Sequence, residues 1–385
     1  MLYKKNLVFT AACLGMLLFG IGLITLGSVA GDLKTKFNLD EISAGTLFSI
    51  MPIGVLAGSL LFGPICDKYG YKLILILACM GMCAGFEGIA FVSSLTLLKI
   101  CIFLFGLSGG IINGATNAAV ADISIDAKVP NLNLLGVFFG IGALGMPFVL
   151  GLLRKKFSFE QITAAVGLFT LAVSIFYFFI QFPLSKKAQG FALAKSSSFF
   201  KDGILILIAF FLFCQSSFEA IINNWTTTYL TKQLSVAESS ALYALSLYVV
   251  GMTVMRFLSG SIFRSVSAPK IIAASFVIIL AGIIFLKYGE SFYFAVTGLI
   301  LIGAGLASGF PVMLGITGSR YAERSGTAFS FVLVVALIGN MLVNYLMGII
   351  ANRYGIYHLT TVAFVELMVM VVLSVFIFRK NNNRQ

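Results

Sequence analysis

Hydrophobic positions in this chain do not alternate with polar ones; they form long blocks parted by short polar breaks. Twelve blocks stand out, at residues 7–29, 44–65, 73–93, 97–119, 133–153, 162–183, 203–230, 238–262, 270–288, 292–316, 326–351 and 357–378. At about 1.5 Å per residue, each is long enough to cross a hydrocarbon core of roughly 30 Å as a helix. A helix also satisfies its own backbone in lipid, which an isolated strand does not. The pattern therefore predicts an all-α membrane protein with twelve transmembrane helices and the lipid bilayer as its surroundings. The composition agrees: 59% of the 385 residues are hydrophobic and only 10% are charged. A soluble chain of this length needs more polar surface. The first block lacks a small-residue cleavage pattern and reads as a retained span, not a signal peptide.

The polar breaks add a topology. The longest, from Leu184 to Asp202, is rich in Lys and Ser. It divides the chain into a six-helix bundle at 1–184, a cytoplasmic linker at 185–202 and a second six-helix bundle at 203–385. If the amino terminus is cytoplasmic, the inner loops carry roughly twice as many Lys and Arg as the outer ones, which predicts both termini inside. The net charge of +12 is then a matter of topology, and no nucleic-acid partner is expected. One shift along the chain superposes Gly54 on Gly251, Gly63 on Gly260, Gly85 on Gly282, Gly106 on Gly303, Gly142 on Gly339 and Gly151 on Gly348. Glycines let membrane helices approach closely, and transporters are often built from repeated halves. The bundles are therefore expected to be pseudo-symmetric. The six cysteines lie in or beside apolar blocks without metal-ligand spacing. No P-loop, nucleophile elbow or His/Cys cluster is present, so neither an enzyme nor a metal or organic cofactor is expected.

Between the second and third blocks stands GPICDKYGYK, Gly63 to Lys72. Gly63 permits close packing, Asp67 ends a helix with a hydrogen-bond acceptor, and Gly70 turns the chain. Lys68 and Lys72 suit an anionic inner surface. The loop resembles the signature loop of the major facilitator superfamily, at the expected place between spans two and three. The resemblance implies that family's twelve-helix fold. It also implies a latch role for Gly63, Asp67, Lys68, Gly70 and Lys72 on the cytoplasmic side. The matching loop of the second half, GSIFRSVSAPK, has Arg264 where Asp67 stood.

Looser stretches point to a branch. NGATNAAVADIS ends span four, GMTVMRFLSG lies in span eight and GAGLASGFP in span ten. Together these look like the fucose–glucose–galactose permease branch, whose members import sugars with protons or sodium ions. The fucose permease pattern places carboxylates in spans one and four. Here span one has none and the span-four position is Asn113. Glu219 is left as the candidate coupling group.

The polar residues inside the blocks carry the chemistry. Gln215, Glu219 and Asn223 recur every fourth residue and so share one helix face; Asn224 and Trp225 follow. Asn113 with Asn117, and Asn340 with Asn344, form amide pairs of the same spacing. An ionisable group in lipid is costly and marks a functional site by default. Amides both donate and accept, which matches sugar hydroxyls, and Trp225 offers a flat apolar face for a sugar ring. Phe310 is expected to add a wall. In the resembled family, spans carrying such residues line a central site. Asn113, Asn117, Gln215, Glu219, Asn223, Asn224, Trp225, Phe310, Asn340 and Asn344 are therefore the expected substrate-binding set. Amide pairs also glue helices together, and a Trp near a span's end also serves as an interfacial anchor. Arg256 is expected to act as a gate or latch, snorkelling or pairing with Glu323 or Asp122. The expected activity is secondary active transport of a small polar solute, a monosaccharide or related polyol, by alternating access with a proton or sodium ion. A drug or metabolite exporter is the alternative. Usage rich in Lys, Ile, Phe and Asn suggests an AT-rich bacterium, hence the inner membrane, and a monomer is expected.

Overall fold

The computed structural model describes residues 3–38, 41–124, 127–154, 156–184, 202–289 and 291–382. Most of the expected linker, 185–201, lies outside the described residues. Among those described, twelve helices are long and apolar enough to cross a membrane. They are Lys5–Ser28, Ile50–Tyr69, Tyr71–Phe91, Leu95–Ile123, Lys128–Met146, Phe159–Phe179, Gly203–Gln233, Tyr243–Gly260, Ala268–Tyr288, Phe292–Arg320, Ala322–Tyr354 and Ile356–Lys380. They are numbered as spans one to twelve below. The all-α, twelve-span reading of the hydrophobic pattern is borne out.

Local chemistry sets several boundaries. Gly70 takes a φ of 82° between spans two and three, a conformation that a side chain disfavours. Ser158 and Gln161 form a reciprocal capping box at the start of span six. Asp202 caps span seven by accepting from the Ile204 N–H at 3.0 Å. Span ten departs from the expected single helix. It runs from Phe292 to Leu306, breaks, and resumes from Gly309 to Arg320.

The chain forms two compact units. The first comprises Met1–Ile125, Phe138–Ala192 and Tyr321–Ser330; the second comprises Asp126–Val137, Leu193–Arg320 and Phe331–Gln385. This grouping differs from a single cut at 184 in two segments, 126–137 and 321–330. Each is held by local packing within its unit. Gly63 closes on Gly326 and Ser330 in the first unit, and Gly260 closes on Pro130 and Leu134 in the second.

Within the first unit, span four packs on spans one, two and three, and span three also packs on span six. Within the second, span ten packs on spans eight and nine, and span seven on span twelve. The repeat seen in the glycines recurs in this packing. Gly54 abuts the Phe103 carbonyl and Gly106 that of Met51; Gly251 abuts the Ile300 carbonyl and Gly303 that of Tyr248. The shift that carries Gly54 onto Gly251 also carries Phe103 onto Ile300, Gly106 onto Gly303 and Met51 onto Tyr248. Spans two and four therefore close through the same four positions as spans eight and ten. Gly85 against Phe105 and Gly282 against Ile302 extend the match to spans three and nine. With no hydrophobic drive between helices in lipid, this close van der Waals contact is what holds each unit together.

Candidate functional site

The break in span ten organises the polar groups of the second unit. A proline nitrogen carries no N–H, so Pro311 has nothing to donate to the carbonyl of Ala307, four residues earlier. The chain tightens there: the Ala307 N–H turns back to the Ala304 carbonyl at 3.3 Å, and Val312 N–H reaches Ser308 at 3.0 Å. The carbonyls at the break find donors on other helices. Arg256 Nε of span eight donates to the Ala307 carbonyl at 3.3 Å. Gln215 Nε2 of span seven donates to the Leu306 carbonyl at 2.8 Å. The hydroxyls of Ser259 and Ser308 meet at 3.0 Å beside them. Buried backbone oxygens in lipid require such partners.

The same Gln215 nitrogen donates to Glu219 Oε1 at 2.8 Å. Gln215 is buried and Glu219 half-buried. Arg256 is only 8% exposed, so its charge must be met by the protein rather than by water. Its Nη1 donates to the Gly136 carbonyl at 3.4 Å, and its electrostatic neighbours are Glu219 and Tyr248. Within the second unit these are the groups that meet Arg256, for which the sequence suggested Glu323 or Asp122 as partners. Glu323 is exposed, and Asp122 accepts from Tyr71 and, at 2.8 Å, from Ser325. The guanidinium is turned toward the break because the carbonyls there lack their helical donor.

The rest of the expected set divides. Asn223 and Asn224 are exposed, and Asn223 Nδ2 donates to the Glu219 backbone carbonyl at 2.8 Å. Trp225 is half-buried. Its Nε1–H donates to Asn344 Oδ1 at 2.9 Å, and its ring lies over Gly348. Asn340 Nδ2 donates to the Ser216 carbonyl at 3.3 Å. Asn340 and Asn344 thus both bind span seven, one at its backbone and one at its indole. Phe310 is half-buried directly after the break. In the first unit, Asn117 Nδ2 donates to the carbonyl and to the side-chain oxygen of Asn113, at 2.8 and 3.1 Å.

The loop Gly63–Lys72 is part of the first unit. Asp67 is buried and accepts from Gly326 N at 3.2 Å, Thr327 N at 2.9 Å and Thr327 Oγ1 at 2.6 Å. These donors lie in the first turn of the helix Ser325–Tyr354, where a carboxylate is favoured by the helix dipole. Lys68 lies over the Tyr69 ring and Lys72 over Phe178.

Three features escape sequence reasoning. Gln215 and Arg256 grip the carbonyls of span ten, and the signal for this was Pro311 in GAGLASGFP. Tyr248 is fully buried beside Glu219 and Arg256. Glu366 of span twelve is buried, accepts from Ser217 Oγ at 2.9 Å, and has its second carboxyl oxygen enclosed without a hydrogen-bond donor. Nothing in its surrounding sequence, VAFVELMVM, marks that partner.

Comparison with known proteins places this geometry in context. A family model described as Major Facilitator Superfamily matches residues 12–289 and 217–385. The chain is 23% identical to the human (Homo sapiens) protein named Sodium-dependent glucose transporter 1, over 89% of this chain and 73% of that one. It is 24% identical to the Glucose/mannose transporter GlcP of Bacillus subtilis (strain 168), over 92% of this chain and 90% of that one. Among solved structures, it superposes on the crystal structure of the transporter FucP in the outward conformation. The TM-score is 0.81 at 17% identity, covering 96% of this chain and 98% of that chain. At that identity the likeness speaks for the fold.

Proposed function

Because the chain belongs to the Major Facilitator Superfamily, we propose that it is a secondary active transporter of a monosaccharide or related polyol, working by alternating access with an ion gradient. The observation that carries this reading is the Glu219 carboxylate, held by Gln215 and facing the buried charge of Arg256 inside an apolar helix bundle. Such a group is costly in a membrane and marks an ion or substrate path. The two sugar-transporter relatives support the solute class.

Glu219 is the coupling group in this reading. Asn223 and Asn224 offer exposed amides to solute hydroxyls, and Trp225 offers a ring face whose angle is set by Asn344. Asn340 serves span seven as a tie rather than as a ligand. Asp67, with Gly63 and Gly70, fixes the first turn of span eleven and acts as a latch. The basic loops support cytoplasmic termini, and the bacterial relative supports a bacterial inner-membrane location; in this reading the protein acts as a monomer.

Purified protein in proteoliposomes tests this reading with a panel of labelled monosaccharides under imposed proton or sodium gradients. Accumulation of at least one sugar is expected. No accumulation of any sugar under either gradient overturns the sugar assignment and favours export of another solute.

A further inference from the structure

We propose that Gln215 and Arg256 are positioning residues that tie the charge on Glu219 to the break in span ten, with a proton as the ion that Glu219 carries. The inference deepens the transporter reading and rests on it for the role of Glu219.

Carbonyls freed where a membrane helix breaks are common ligands for a coupling cation. Here the Leu306 and Ala307 carbonyls each already accept an N–H, from Gln215 and Arg256. Glu219 Oε1 accepts one too. A sodium ion needs several oxygens at once, and these three point at hydrogen-bond donors. Arg256 brings a fixed positive charge to the place where a metal cation would sit. A proton needs only one carboxylate oxygen.

The linkage follows from how one amide is shared. Gln215 Nε2 has two hydrogens, and its two acceptors are Glu219 Oε1 and the Leu306 carbonyl. While Glu219 is ionised, the first bond is charge-assisted and holds the amide plane, which aims the second hydrogen at span ten. The negative charge likewise steadies Arg256, whose Nε holds the next carbonyl, Ala307. Protonation of Glu219 weakens both grips at adjacent residues of one helix. Pro311 leaves Ala307 without an internal donor to fall back on.

Few other groups share this linkage. Among the described residues, Arg256 and Tyr248, both of span eight, interact electrostatically with Glu219. Span ten presents carbonyls and Gly309, which abuts Gln215. Span eleven presents the amides Asn340 and Asn344. Glu366 of span twelve engages Ser217, two residues from both Gln215 and Glu219 and therefore on another face of span seven. His358, in the turn that also packs on span seven, lies against Tyr357.

The test is hydrogen–deuterium exchange of residues 304–312 in the full-length protein across a pH series, corrected for the intrinsic pH dependence of exchange, without solute or gradient. In the wild type, protection should fall about tenfold on acidification, the factor for a charge-assisted bond becoming a neutral one. Added sodium at constant pH should change nothing. Glu219→Gln should show the weaker protection at every pH. Gln215→Met should shrink the step to the part carried by Arg256 although Glu219 is intact; if it does not fold, Gln215→Asn, one methylene too short, should shrink it as well. Glu366→Gln should keep the step. A flat wild-type profile, a sodium response, a step that survives Glu219→Gln or is undiminished in Gln215→Met, or one lost in Glu366→Gln overturns the proposal. Sugar uptake with a flat profile would sink this inference alone; a clear step without uptake of any sugar would sink the solute assignment alone.

Discussion

Asp67 and Trp225 show what single side chains contribute. Asp67 gathers three donors from Gly326 and Thr327 at the start of a helix. Asp67→Ala leaves those donors without their acceptor, and the expected cost is about 1–3 kcal/mol. Thermal unfolding in detergent should shift down by several degrees, with Asp67→Asn, which keeps one neutral acceptor, shifting less. Equal melting of Asp67→Ala and wild type would refute the cap. Trp225→Phe keeps an aromatic face but loses the bond to Asn344. If the ring is a platform for the solute, KM should rise about fivefold with kcat nearly unchanged, the effect of about 1 kcal/mol in binding. Asn344→Ala should do the same. At this scale the sequence was legible where spacing sets geometry: four-residue spacing predicted that Gln215 and Glu219 would touch. It was not legible where a partner lies far along the chain. The amides of Asn340 and Asn344 were expected to bind solute, and only the fold shows that they also bond Ser216 and Trp225.

Spans two and four, and spans eight and ten, depend on glycine at matched positions. A methyl at Gly106 would meet the Met51 carbonyl, and one at Gly303 the Tyr248 carbonyl. Gly106→Ala and Gly303→Ala should therefore destabilise the protein alike, by about 1–3 kcal/mol. Gly145→Ala, with nothing within 4 Å of the added methyl, should be neutral by the same melting assay. Span ten makes a second element-scale prediction. Pro311→Ala restores an N–H that competes with Arg256 for the Ala307 carbonyl. The helix should straighten and stiffen, so residues 304–312 should exchange more slowly and transport turnover should fall. Faster exchange in that variant would contradict the role given to the proline. Pro311 in GAGLASGFP is the sequence signal for the break. It did not predict which side chains would take up the freed carbonyls, because that depends on how spans seven and eight pack against the break.

The molecule as a whole is a duplicated twelve-span chain, and most of that was readable in advance. Block hydrophobicity fixes the number of spans because lipid admits few alternatives. The glycine shift proved structural at Gly54, Gly106, Gly251 and Gly303, where helices close on one another's carbonyls at matched positions. The segments 126–137 and 321–330 group across the cut expected at 184, since their grouping is decided by tertiary packing rather than by chain order. What the proposed function adds to this fold is a role for one half-buried carboxylate on span seven. Its role is tested most directly by comparing wild type with Glu219→Gln in proteoliposomes, reading gradient-driven accumulation and solute exchange side by side. The account predicts that the variant loses accumulation and retains exchange. Undiminished accumulation in Glu219→Gln would contradict it.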